Sequence, residues 1–231
     1  MNLTINPKLI FKSLFIFIIL LLIANLSVMY IYLNYCVNNG IWNHNEKVKF
    51  IVKLFDFDTE KNLPTFYSSL GLLFSSILLL LIALNNKKNN LIYLPWIGLS
   101  IIFCYLSLDE IIQFHEYLVL MTKKFFNLSG MGTAYWIIPY LTIFVILGVI
   151  YFKFIISLER KTLKLFILAG IVFVGGAVGF ELISERYSEF HGSENVIYEL
   201  LYTCEEFLEM LGVIIFIYAL TSYKTFTIKI E

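Results

Sequence analysis

Six stretches of this chain stay apolar for about twenty residues at a time, and this pattern limits the possible folds more than any other feature of the sequence. They cover about 9–33, 66–84, 91–112, 136–156, 163–182 and 202–220. A helix needs roughly 20 apolar residues to cross the ~30 Å hydrocarbon core of a bilayer, so each stretch is long enough to span it. Helices and closed barrels are the structures that satisfy their own backbone in lipid, and a barrel strand would alternate where these runs are continuous. The expected fold is therefore all-α, a polytopic transmembrane helical bundle. Six spans and their connections use nearly all of the 231 residues, so 1–231 reads as a single transmembrane domain. Composition agrees, with 59% hydrophobic and 15% charged residues and a mean hydropathy of +0.81.

Charge is balanced at 17 basic and 17 acidic residues, which indicates neither a nucleic-acid surface nor an acidic tail. The first run follows Lys8 and Lys12 but exceeds the roughly 7–15 residues of a cleavable signal core, so it reads as a retained helix. Lys87, Lys88, Lys153, Arg160, Lys161, Lys164, Lys224 and Lys229 fall on the same side as Lys8 and Lys12, which puts both termini in the cytoplasm by the positive-inside rule. Trp42, Trp96 and Trp136 lie near span ends, where aromatic anchors are common. The stretch Tyr117–Phe126 reads as an amphipathic segment along the outer interface. Cys36, Cys104 and Cys204 have no CxxC spacing, although Cys36 and Cys204 fall on one side and could form a bridge.

Three acidic segments share the outer side. Asp109, Glu110, His115 and Glu116 leave the third span, Glu181 and Glu185 leave the fifth, and Glu205, Glu206 and Glu209 enter the sixth. At 100° per residue Asp109, Gln113 and Glu116 share one helix face, and His115 lies off it. Glu181, Ser184 and Glu185 share a second face, and Tyr202, Glu205, Glu209 and Gly212 a third. A carboxylate turned to lipid costs about 2.5–3.5 kcal/mol on an insertion scale, so these faces should point into the bundle. Arg186 is the one arginine nearby, so the carboxylates must bind a cation or take up protons. A divalent metal ion compensates most simply, held by Asp109, Glu181, Glu185 and Glu205, with Glu116, Glu209 and His115 left to move protons. The dipole of the sixth helix would also favour Glu205 and Glu206 as ordinary first-turn residues, whereas the acids closing the third and fifth spans are disfavoured by theirs. Gly170, Gly175, Gly176 and Gly179 lie largely opposite the glutamates of the fifth span and suggest close helix packing.

Several known motifs fail on single residues. His115-Glu116 is not HExxH, because Val119 stands at the fifth position, and Glu205-Glu206 is not the EExxxR of intramembrane CAAX-type proteases, because position 210 is Met. There is no ExxH pair for a diiron bundle, no GxSxG and no P-loop. The combination of LDE-x4-HE at Leu108–Glu116 and EE-x2-EMxG at Glu205–Gly212 resembles a set of uncharacterised bacterial six-span membrane proteins. That resemblance implies a shared site at these helix ends and a bacterial cytoplasmic membrane, and it brings no known activity. The first reading is a metal-dependent hydrolase acting on a lipid or other membrane-borne substrate. A small cation or proton-coupled transporter is the second, although the inner halves of the spans carry almost no ionisable group to line a route. A membrane interaction or sensor subunit is the third. The bilayer is the expected partner, and oligomeric state is open.

Overall fold

The computed structural model describes residues 2–4, 6–37, 46–125, 134–224 and 227–229, with the side chains of 2–4, 35–37, 116, 120, 125, 134 and 227–229 outside the description. A short strand β1 (Asn2–Thr4) precedes α1 (Pro7–Ile31), which opens on an Asn6 side chain accepting the Lys8 N–H at 3.0 Å. Such a cap satisfies an N–H that the helix itself leaves without a partner. The next loop contains α2 (Glu46–Phe55), a short amphipathic helix with no counterpart among the sequence expectations. Asn62 then caps α3 (Leu63–Lys88) by accepting the Thr65 N–H at 3.1 Å. After α4 (Leu94–Ile112) come α5 (Phe114–Phe125), α6 (Ile137–Ile156) and α7 (Arg160–Val174). A π-helical turn at Gly175–Phe180 joins α7 to α8 (Glu181–His191) without a break, so residues 160–191 form one continuous helix. Asn195 caps α9 (Val196–Tyr223), and the chain closes on β2 (Thr227–Lys229), antiparallel to β1 with Asn2 opposite Lys229.

Among the described residues α1, α3, α4, α6 and the helix over 160–191 are long and apolar enough to cross a membrane. The sixth long helix, α9, has 28 residues, about 42 Å at 1.5 Å per residue. It is enclosed by α1, α3, α7 and the π turn, and Met210, Ile214, Ile217 and Leu220 on it are buried. By contrast α6 lies at the periphery, with Ile143, Phe144, Val149 and Ile150 exposed as a lipid-facing surface would be. The arrangement is a helical membrane bundle around one central helix.

Two matched serine pairs lock α3 to α4. Ser69 Oγ donates to the Ser107 carbonyl at 2.8 Å while Ser107 Oγ donates to the Ser69 carbonyl at 2.9 Å. Seven residues along each helix, Ser76 and Ser100 repeat the exchange at 2.7 and 2.8 Å. Small hydroxylated residues let two helix backbones approach closely and satisfy polar groups in lipid. The registry fixes the α4 C-terminus beside the start of α3. Below it the core is apolar and aromatic. Trp96 is 1% exposed, its ring centroid 5.1 Å from that of Phe154 and 4.9 Å from that of Tyr223. Trp96 is therefore a core residue and not the interfacial anchor its position suggested, because the α4 N-terminus is covered by the ends of α6, α7 and α9. Trp42 lies outside the described residues.

Candidate functional site

The third span ends at a residue that forces the chain to turn. Gln113 has φ 61° and ψ 41°, the left-handed conformation, and its N–H donates to the Asp109 carbonyl at 2.7 Å. This stops α4, and α5 starts in a new direction. The Asp109 carboxylate then accepts the His115 backbone N–H through Oδ1 at 3.1 Å, capping α5 from the end of the preceding helix. The Oδ2 atom faces His115 Nδ1 at 3.2 Å and accepts the Tyr140 hydroxyl at 2.8 Å. Tyr140 in turn lies 3.0 Å from the Tyr105 hydroxyl.

The helical phase assumed across Asp109, Gln113 and Glu116 therefore does not hold, because the helix breaks at Gln113. His115, expected off the Asp109 face, is the residue brought onto it. The Glu116 side chain lies outside the described residues.

On its other edge His115 Nε2 sits 3.5 Å from Glu60 Oε1, and its ring centroid is 5.3 Å from that of Trp136. Burial alone would lower the proton affinity of this imidazole, but the hydrogen bonds to Asp109 and Glu60 outweigh it and push its pKa up to about 10. At neutral pH His115 is an imidazolium between two carboxylates.

The fifth and sixth long helices meet at a second pair. Trp136 Nε1 donates to Glu181 Oε1 at 3.4 Å, and Glu181 shares a hydrogen bond with Glu205. Two carboxyl groups can share a hydrogen bond when one of them carries a proton. Both side chains are buried, and Glu205 Oε2 is enclosed and meets no N–H or hydroxyl donor.

The π turn produces this approach. At Gly176 an added Cβ would lie 2.7 Å from the Glu205 carbonyl oxygen and 3.0 Å from Leu208 Cβ, so only glycine lets the two helices close at this level. Gly170, Gly175 and Gly179, expected to share that packing role, face open space. A π turn adds a residue to the helix and rotates the next turns about its axis, and such turns are frequent at functional sites. Here it precedes Glu181 directly.

Glu205, Glu206 and Glu209 are not helix-end residues. Helix α9 begins at Val196, so Glu209 lies thirteen residues in, about 20 Å along the axis. The dipole, which acts within the first turn, does not account for them. Glu181 and Glu185 likewise sit inside the continuous helix over 160–191 and not at its end.

Glu206 and Glu209 lie within electrostatic reach of Glu110 and Glu181, and Ser68 lies beside Glu110. Glu185 is buried one turn beyond Glu181. Arg186 pairs with Glu189 at 2.9 Å on the half-exposed surface and leaves the interior acids without that counter-charge. Cys204 carries an exposed free thiol, and the side chain of Cys36 lies outside the described residues. Among the described residues no three His, Cys, Asp or Glu side chains already ring a point where a metal ion could sit.

Sequence reasoning gave no site role to Glu60, Tyr140 or Asn25 and read Trp136 as an interfacial anchor. Asn25 had a signal, being an isolated amide within an apolar run. It donates to Thr203 Oγ1 at 2.8 Å and accepts the Phe57 N–H at 2.9 Å, tying α1 to α9 and to the α2–α3 loop. Trp136 and Tyr140 are one turn apart at the start of α6 and could have been read as one face. Glu60 sits in a loop, and nothing in its neighbourhood marks it.

Residues 14–223 match the family model described as Domain of unknown function (DUF8692). The chain belongs to that family. The DUF8692 region takes in every site residue named above, from Asn25 to Glu209, and leaves out β1, β2 and the start of α1. No curated protein and no solved structure matches the chain.

Proposed function

We propose that this membrane protein holds a divalent cation at Glu181 and Glu205, joined by Glu209 and Glu185, and uses it to hydrolyse a membrane-borne substrate. The enclosed Oε2 of Glu205, which meets no N–H or hydroxyl donor, carries the reading. A buried carboxylate oxygen without a donor is costly, and a cation or a proton relieves that cost. Oxygen donors of this kind suit a hard divalent ion. Such an ion would supply Lewis-acid polarisation of an ester or of water.

Asp109 stands apart from this donor set, because both of its oxygens are engaged by His115 and Tyr140. The imidazolium of His115 fixes Asp109 and Glu60, and through the ring of Trp136 it braces the donor to Glu181. Glu110 and Glu206 are the groups left to accept a proton from water near the pair.

The apolar, aromatic core beneath these residues favours an enzyme over a transporter. Leu72, Leu79, Trp96, Phe166, Phe216 and Leu220 fill the lower bundle, where the buried polar side chains, among them Ser76, Asn86, Ser100 and Thr221, are uncharged, whereas ion routes are marked by ionisable groups.

The test uses the full chain in lipid nanodiscs with a fluorogenic acyl ester. Chelator-sensitive release of the fluorophore is expected, falling by about 100-fold or more in Glu205→Gln. Release that survives both the chelator and the substitution would refute the proposal.

A further inference from the structure

An apolar cavity of about 240 Å³ lies between α1, α3 and α9, directly below the carboxylates. Its walls include Tyr67, Gly71, Met210, Ile214 and Ile217, and Ser68 stands at its upper lip. Tyr67 does not make it polar, because its hydroxyl is turned to the Leu14 carbonyl at 2.9 Å. Ser68 is the link, since it lines the cavity and lies beside Glu110. Met210 on the wall comes directly after Glu209 in α9.

The cavity opens on one side, so a hydrocarbon chain can enter it from outside the bundle. An apolar void also excludes water, so its occupant must be apolar. The cavity lies against the C-terminal half of α9, among its most apolar residues, and Leu70 on its wall is 46% exposed.

We infer that this cavity binds the hydrocarbon chain of a single-chain amphiphile whose uncharged or cationic head reaches Glu110, Glu206 and Glu209 past Ser68. The site sets the head charge: carboxylates at this density repel an anionic head and tolerate a neutral ester or a cation. The inference rests on the hydrolase reading for its chemistry and gives that reading a substrate class. The chain-binding cavity itself stands on the packing alone.

A monoacylglycerol carrying a photoactivatable diazirine at the end of its chain tests this in nanodiscs, with labelled peptides mapped by mass spectrometry. Labelling is expected to concentrate on Leu70–Phe74 and Met210–Ile217, about tenfold above the lipid-facing residues Ile143–Ile150 of α6. Gly71→Leu should remove most of it. Leu70→Trp, which narrows the cavity from its exposed wall without entering the core, should do the same in a chain that keeps its thermal midpoint. Labelling that simply tracks lipid exposure along α6, or that is unchanged in Leu70→Trp, overturns the inference.

Glu205→Gln should label as the wild type does, so loss of hydrolysis with labelling intact bears on the cation site alone. A fatty-acid probe of the same chain length should label about tenfold less; equal labelling would refute the stated head preference.

Discussion

His115 is the side chain whose environment differs most from its sequence-based expectation. A residue placed off the acidic face by helical phase becomes an imidazolium hydrogen-bonded to Asp109 at 3.2 Å and facing Glu60 at 3.5 Å. Its pKa is raised from 6.5 to about 10. A histidine that binds its proton more tightly when folded stabilises the fold fully below the unfolded value, and that contribution fades as the pH rises through the folded value. His115→Gln should therefore lower stability by about 2 kcal/mol at pH 6, with the difference from wild type shrinking toward zero between pH 6.5 and about pH 10. Thermal midpoints in detergent at pH 6, 8 and 10 check the sign. A deficit that grows with pH would mean that the imidazole is neutral in the fold. The pair was not legible in the sequence, since it depends on the turn at Gln113, a left-handed non-glycine residue that no local pattern announces.

At the scale of elements, the π turn is what converts an ordinary packing stripe into a site. Gly175 and Gly176 are adjacent in the sequence and read alike, yet a Cβ at Gly175 meets nothing within 4 Å whereas one at Gly176 meets the Glu205 carbonyl oxygen at 2.7 Å. That oxygen belongs to a helix backbone and cannot yield cheaply. Gly176→Ala should cost about 1–3 kcal/mol and push Glu205 away from Glu181, while Gly175→Ala should be neutral or slightly stabilising by helix propensity. Comparing the two thermal midpoints separates close approach from simple backbone freedom; equal effects would remove the special role of Gly176. The helices themselves were largely legible, because about twenty apolar residues leave a chain in lipid few alternatives. Their ends were less so. The start of α9 at Val196 and the continuation of the fifth span to His191 lie in polar sequence, so hydropathy stopped at the membrane boundary while the helices did not. Reading the boundaries from hydropathy alone put Glu181, Glu205 and Glu209 at helix ends and hid their depth.

For the whole molecule, pairing of β1 with β2 brings residues 2–4 beside 227–229. Five long apolar helices accompany α9, which packs against α1, α3, α7 and the π turn. The bundle is thus divided into an aromatic, apolar half around Trp96 and a half into which α3, α4, α8 and α9 all direct polar groups. Such a division is sensible if the charged half does chemistry at one membrane face and the other half only seals and supports it. The central claim is that a cation neutralises the Glu181–Glu205 pair. Elemental analysis of the purified full chain after mild dialysis, beside Glu205→Gln, tests it directly. Near-stoichiometric divalent metal in the wild type, lost in the variant, is the expected result; metal absent from both, after purification without chelator and with excess divalent ion supplied, would contradict it and leave a shared proton as the link between the two carboxyl groups.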